Sequence, residues 1–203
     1  NNYDILKEHL NKFNLLSVRE KSTAIFLQKE LQRQVNFVCD PVFLLKKEEY
    51  LKFINPINIT NKFVMVYLTP KNDIVDSLVQ RYKDEGYTII LVGGFSKRCE
   101  CDIHIKDAGP EEFLSYIYYS SVVISTSFHA TAFAHIFHKD FYTILPKNNS
   151  ERIESLLSVS NLLERGLSSF KISSNKIDWN DVDIKIENYV NESKEYIDSI
   201  YSK

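Results

Sequence analysis

His129 stands where an apolar run hands over to a helical pattern. In SSVVISTSFHATAFAHIFHKDFYTI (120–144) the run Val122-Val123-Ile124 stops at three hydroxyl residues, Ser125, Thr126 and Ser127, and the imidazole follows two positions later. A helix beginning there presents free backbone N–H groups and the positive end of its dipole, a combination that suits an anion. Ser125, Ser127 and Thr131 add hydroxyl donors, and His129 is placed to give a proton to a ligand held at the turn. The positive end of a helix disfavours an imidazolium, so a proton donor here calls for an anion such as a phosphate beside it. The plainer alternative is a histidine that only caps or packs the helix start.

Arg19, in SVRE (17–20), ends another short apolar run. Its guanidinium suits a bidentate contact with a phosphate or carboxylate, and the alternative is a surface arginine paired with the neighbouring glutamate. Other candidate groups fit chemistry less well. His135 and His138 share a helical face with Asp140 beyond them, but no glutamate lies between them and no third ligand is evident, so they read as core or surface residues. Cys99, Cys101 and His104 have no standard metal-site spacing. Gly93-Gly94 after a strand is too short for a dinucleotide fingerprint.

The elements that must position these groups alternate in type. Continuous apolar runs at 63–68, 88–92 and 122–125 read as strands buried on both faces, with shorter strands at 14–18, 36–39, 101–105 and 140–145. Helical spacing fills the intervals: 3–13, 19–32, 72–85 with Asn72 as cap and Gly86 at its end, 109–120 with Pro110 in the first turn, 128–138, 150–160, and a terminal amphipathic helix over 186–201. The β-α-β-α order predicts an α/β fold, a Rossmann-like three-layer domain with a mostly parallel sheet.

Composition narrows the classes. The 203 residues, 44% hydrophobic and 26% charged, can bury a substantial core, and a net charge of −2 gives no electrostatic reason to expect nucleic acid or an anionic membrane. No apolar run approaches the ~18 residues of a membrane span. Three cysteines suggest no disulfide framework and suit a reducing cytoplasm. The chain opens at Asn1 and its one methionine is Met65, so it reads as part of something longer.

Four stretches together resemble the polysaccharide pyruvyl transferase family: LLSVREKST (15–23), VCDPVFLL (38–45), EEFLSYIYYSSVVISTSFHATAFAHIFHKDFYTIL (111–145) and ERIESLLSVSNLLERGL (151–167). Their order and spacing agree over roughly residues 10–170. The resemblance implies two Rossmann-like domains facing a cleft, as in glycosyltransferases of the B type. Residues 1–40 would end an incomplete first domain, 41–61 would be a linker, 62–175 the second domain, and 176–203 a helix packing across both. It implies transfer of pyruvate from phosphoenolpyruvate to hydroxyls of a sugar in a bacterial surface polysaccharide or its precursor, giving a ketal and phosphate, with no metal or cofactor. The acceptor would be a glycan or lipid-linked sugar, and the place the cytoplasm or the inner face of the membrane.

By position, His129 matches the family's histidine and Arg19 its donor-binding arginine. The well-studied branch has Arg-Leu-His where this chain has Ser127-Phe128-His129, so one cation for the donor is replaced. Arg152, Lys147 or the hydroxyls are the candidates to compensate. Two other readings are a nucleotide-sugar glycosyltransferase of the same architecture and a non-catalytic carbohydrate-binding module. With half of the cleft missing, the 203 residues alone are expected to be inactive. Their N-terminal apolar faces (Leu6, Leu10, Phe13, Ile25, Leu27) are expected to pack on the terminal helix near 189–201 or on another chain.

Overall fold

A computed structural model describes residues 2–67, 70–94, 98–148, 150–173 and 175–201. The chain begins with helix α1 (Asn2–Asn11), strand β1 (Ser17–Val18), helix α2 (Lys21–Leu31) and strand β2 (Asn36–Phe37). β1 and β2 pair in parallel, Ser17 opposite Asn36 and Val18 opposite Phe37. Only two residues of each expected strand join the ladder, because among the described residues these two strands form a two-stranded sheet of their own. Residues 41–61 are less of a free linker than their polar composition suggests. They hold a short helix, α3 (Lys47–Tyr50), whose Tyr50 is buried edge-on against Phe133 at 5.0 Å between ring centres.

The main sheet follows: β3 (Phe63–Tyr67), α4 (Asp73–Asp84), β4 (Thr88–Val92), β5 (Ile103–Ile105), α5 (Pro110–Tyr119), β6 (Val122–Ser125), α6 (Phe128–Ile136), β7 (Asp140–Ile144), α7 (Glu151–Val159), β8 (Gly166–Leu167) and the terminal α8 (Trp179–Tyr201). Its six strands run in the order β5-β4-β3-β6-β7-β8, every neighbouring pair parallel. Leu68, the last residue of the expected 63–68 strand, lies outside the described residues.

Strand periodicity explains why the runs are apolar throughout. Phe63, Met65, Ile90, Val92, Val123 and Phe141 point to one face and meet α5, α6 and α7. Val64, Val66, Ile89, Leu91, Ile124 and Ile144 point to the other and meet α4 through Val75, Leu78 and Val79. Each such side chain contributes about 2 kcal/mol by leaving water, so neither face tolerates a polar substitution.

β8 escaped the sequence reading because two residues carry no periodicity. Gly166 is tightly enclosed there: a Cβ would sit 2.9 Å from Leu157 Cδ1, 3.2 Å from Leu145 Cδ1 and 3.3 Å from the Leu163 carbonyl oxygen, so a larger residue makes these leucines shift. α8 is seven residues longer than its apolar spacing suggested, and Asp178 caps it by accepting from the Asn180 amide at 3.1 Å. α8 packs on β2 and the residues after it. Tyr189 stacks on Phe37 and donates to the Val38 carbonyl at 2.7 Å, while the Cys39 amide donates to Ser193 Oγ at 2.9 Å. Leu6, Phe13 and Ile25 stay exposed on the outer side of α1 and α2, and Leu10 and Leu27 are half-buried.

Candidate active site

A parallel sheet in this order reverses its winding direction between β3 and β6. Helices leave such a pair toward opposite faces, which opens a crevice beyond the carboxyl ends of the strands. Tyr67 and Ser125 are the paired last residues there. Ser125 Oγ donates to the Tyr67 carbonyl at 2.8 Å and accepts from the Ser127 amide at 2.9 Å, so it ties the two strand ends and shapes the turn. Ser127 caps α6, its Oγ accepting from the Ala130 amide at a long 3.4 Å. The buried Thr131 hydroxyl donates to the Ser127 carbonyl at 3.0 Å and lies 2.7 Å from Thr143 Oγ1. The hydroxyls of Ser125 and Thr131 therefore build the turn from inside, and that of Ser127 borders it. The amides of the first helical residues, Phe128 and His129, have no acceptor within the helix.

His129 is exposed at this helix start, its ring edge-on to that of Phe128 with centres 5.4 Å apart. Arg152, from the first turn of α7, places its guanidinium over the Phe128 ring, 5.4 Å from the centre. Its Nε donates to Glu20 Oε1 at 2.9 Å. Glu20 follows Arg19, whose guanidinium pairs with the buried carboxylate of Asp40. The first α2 amide, of Lys21, donates to Ser155 Oγ of α7 at 3.1 Å and fixes this junction. Contacts thus run from His129 through Phe128 and Arg152 to Glu20, whose chain neighbour Arg19 pairs with Asp40. Arg19 and Glu20 also line a cavity of about 440 Å³ whose far wall is Tyr196, Ile197 and Ile200 of α8. Lys147 is exposed beyond β7.

Glu20, Phe128 and Asp40 were not legible as parts of this site. Their partners lie 132, 24 and 21 positions away in sequence, as the Arg152–Glu20, Arg152–Phe128 and Arg19–Asp40 contacts show, and no local pattern announces such pairs. Asp40-Pro41 could have been read as a turn cap, which Asp40 is, accepting from the Val42 amide at 3.2 Å.

The other histidines go elsewhere. His104 Nε2 donates to the Gly94 carbonyl at 3.0 Å. His138 stacks on Trp179 at 5.0 Å and lies 2.9 Å from Asp183. His135 is buried, with Nδ1 donating to the Thr131 carbonyl at 2.8 Å and Nε2 3.0 Å from Ser160 Oγ. Burial pushes its pKa from 6.5 down to about 4, with the Thr131 carbonyl and Asp183 opposing and His138 adding to the shift. The unfolded chain therefore takes up a proton that the folded chain refuses between about pH 6.5 and 4. Stability from the neutral ring is complete above that window and lost as pH falls through it, by about 3 kcal/mol at most. Urea midpoints at pH 7 and 4.5 check this: His135→Gln should flatten the difference, and an unchanged difference would clear His135.

No curated protein sequence matches the chain. Among solved structures, E. coli ADP-heptose lps heptosyltransferase II aligns with a TM-score of 0.40 at 9% identity, over 77% of this chain and 55% of its own. UDP-GlcNAc 2-epimerase from Neisseria meningitidis, bound to UDP-GlcNAc, aligns at 0.48 and 14% identity, over 90% and 53%. The wall teichoic acid polymerase TagF aligns at 0.41 and 14%, over 95% and 54%. The chain spans about half the length of each. The sequence profile of polysaccharide pyruvyl transferases matches residues 1–148, a stretch holding Arg19, Asp40 and the whole β6–α6 turn with His129, and the chain belongs to that family.

Proposed function

We propose that this chain carries the donor site of an enzyme that transfers pyruvate from phosphoenolpyruvate to two hydroxyls of a sugar in a bacterial surface polysaccharide or its precursor. The supporting observation is the Arg152 guanidinium resting on Phe128 beside an exposed histidine at a helix N-terminus, with Arg152 held by Glu20, the chain neighbour of Arg19. Phosphate and carboxylate are both anions that such a set binds. Arg152, resting on the Phe128 ring, supplies the second cation that the Ser127-Phe128-His129 triplet lacks.

In the reaction, His129 gives a proton to the methylene carbon of the donor, whose double bond supplies the electron pair for the new C–H bond. The neighbouring carbon becomes cationic and a sugar hydroxyl bonds to it. Departure of phosphate regenerates a cationic centre, which the second hydroxyl captures. Of the two hydroxyl protons released, one restores His129 and the other leaves with phosphate, so the ledger closes without a metal or redox partner. Arg19, Arg152 and the α6 amides hold the donor's charges while positive charge develops at carbon. Ser125 and Thr131 hold the turn, and Ser127 faces the donor.

The second half of a two-domain cleft is the role we assign to residues 62–175, with the acceptor bound from the other half, in the cytoplasm or at the inner face of the membrane. Among the described residues no helix is long and apolar enough to cross a membrane. Mass spectrometry of an oligosaccharide acceptor incubated with phosphoenolpyruvate and the full-length enzyme tests the reading. A pyruvyl ketal and stoichiometric phosphate are expected, and the 203 residues alone should give neither. Sugar transfer from a nucleotide-sugar in place of pyruvylation would overturn it.

A further inference from the structure

Each arginine of the site arrives with a carboxylate, and the two pairs are built differently. Glu20 holds Arg152 from a partly exposed position, its side chain 22% accessible. Asp40 holds Arg19 from inside the protein, its side chain 3% accessible against 38% for the arginine. The buried carboxylate is itself immobilised. Its Oδ1 accepts from the Val42 amide, and the two residues before it are fastened to α8 by the Tyr189 and Ser193 hydroxyls. One terminal nitrogen of Arg19 is thus anchored inward, and the residue lines a cavity together with Glu20. A free arginine side chain gives up about 2 kcal/mol of rotamer entropy on being fixed; here that ordering precedes ligand binding.

We infer that Asp40 is a positioning residue for the donor site, acting through Arg19 to hold its guanidinium in the orientation that receives the anion. This rests on the reading of Arg19 as a phosphoenolpyruvate contact. Asp40 touches no substrate in this scheme, so its contribution should vanish once Arg19 is gone.

The variant Asp40→Asn keeps the shape and an oxygen acceptor for the Val42 amide and removes only the charge that orients Arg19. Asp40→Ser keeps a turn-capping acceptor by another route and serves if the asparagine variant folds poorly. Steady-state kinetics of the full-length enzyme, with phosphoenolpyruvate and acceptor varied separately, give the readout. Either variant should raise the phosphoenolpyruvate KM about tenfold, with kcat and the acceptor KM within about twofold of wild type. A double-mutant cycle completes the test: Arg19→Ala/Asp40→Asn should be no worse than Arg19→Ala alone. If Arg19→Ala raises the donor KM but the two effects multiply in the double variant, Asp40 does not act through Arg19 and the inference falls while the donor reading stands. A purely structural role would lower kcat and thermal stability with no selective change in donor KM, which also sinks the inference. If Arg19→Ala leaves the donor KM unchanged, the donor reading itself fails.

Discussion

In the proposed pyruvyl transfer, His129→Ala in the full-length enzyme is expected to lower kcat about 10²–10⁴-fold, the usual worth of a general acid. The ring is exposed at the start of α6 and its nearest described ring neighbour is Phe128, so its removal leaves no cavity and the fold keeps its stability. The loss should fall on kcat with the phosphoenolpyruvate KM nearly unchanged, because the proton transfer is made only in the transition state. Initial rates at saturating donor and acceptor, with a thermal melt of the same sample, provide the check. A near-normal rate removes His129 from the mechanism.

The second large effect is on stability and lies at the far edge of the sheet. Arg165 is buried, its side chain 2% accessible, and its guanidinium is 2.7 Å from Asp140, which is 45% accessible. It also rests over the Tyr142 ring at 5.1 Å, and Nε has no hydrogen-bond partner among the described residues. Asp140→Ala leaves a buried cation without its counterion. Removal of one partner of a buried pair costs 3–5 kcal/mol, and the lower figure, about 3 kcal/mol, applies because water reaches the site where the half-exposed carboxylate stood. The urea midpoint should drop with the slope unchanged. Arg165→Met/Asp140→Ala should recover most of the loss, since an apolar side chain needs no counterion. A single variant as stable as wild type would show that backbone carbonyls suffice for Arg165.

What could be read from the sequence was what is local. β3, β4 and β6 are short apolar runs rich in β-branched residues and buried on two faces, alternating with longer helical patterns, so the α/β architecture was legible. α4 carried its own punctuation, Asn72 accepting from the Ile74 amide at 2.8 Å and Gly86 at φ +82 closing the end. The turn before His129 was legible for the same reason. β8 was not, because two residues show no period, and β1 and β2 were drawn too long, because ladder length depends on strands elsewhere in the sheet. In the candidate site the individual groups His129, Arg19 and Arg152 were marked by type. The pairing of Arg19 with Asp40, and of Arg152 with Glu20, is a property of packing between distant segments and left no spacing to find.

The fastening of β2 by α8 sets an order of events during synthesis. The Tyr189–Val38 and Ser193–Cys39 bonds join residues 151 and 154 positions apart. At about 5–20 residues per second, a ribosome needs on the order of ten to thirty seconds to make the intervening chain. Once residue 144 has been made the β3–β7 strands are all present, and the segment carrying Asp40 still waits for α8. The segment that carries Asp40 is therefore the last part to be fastened, and a chain that stops short of residue 189 lacks both of these bonds.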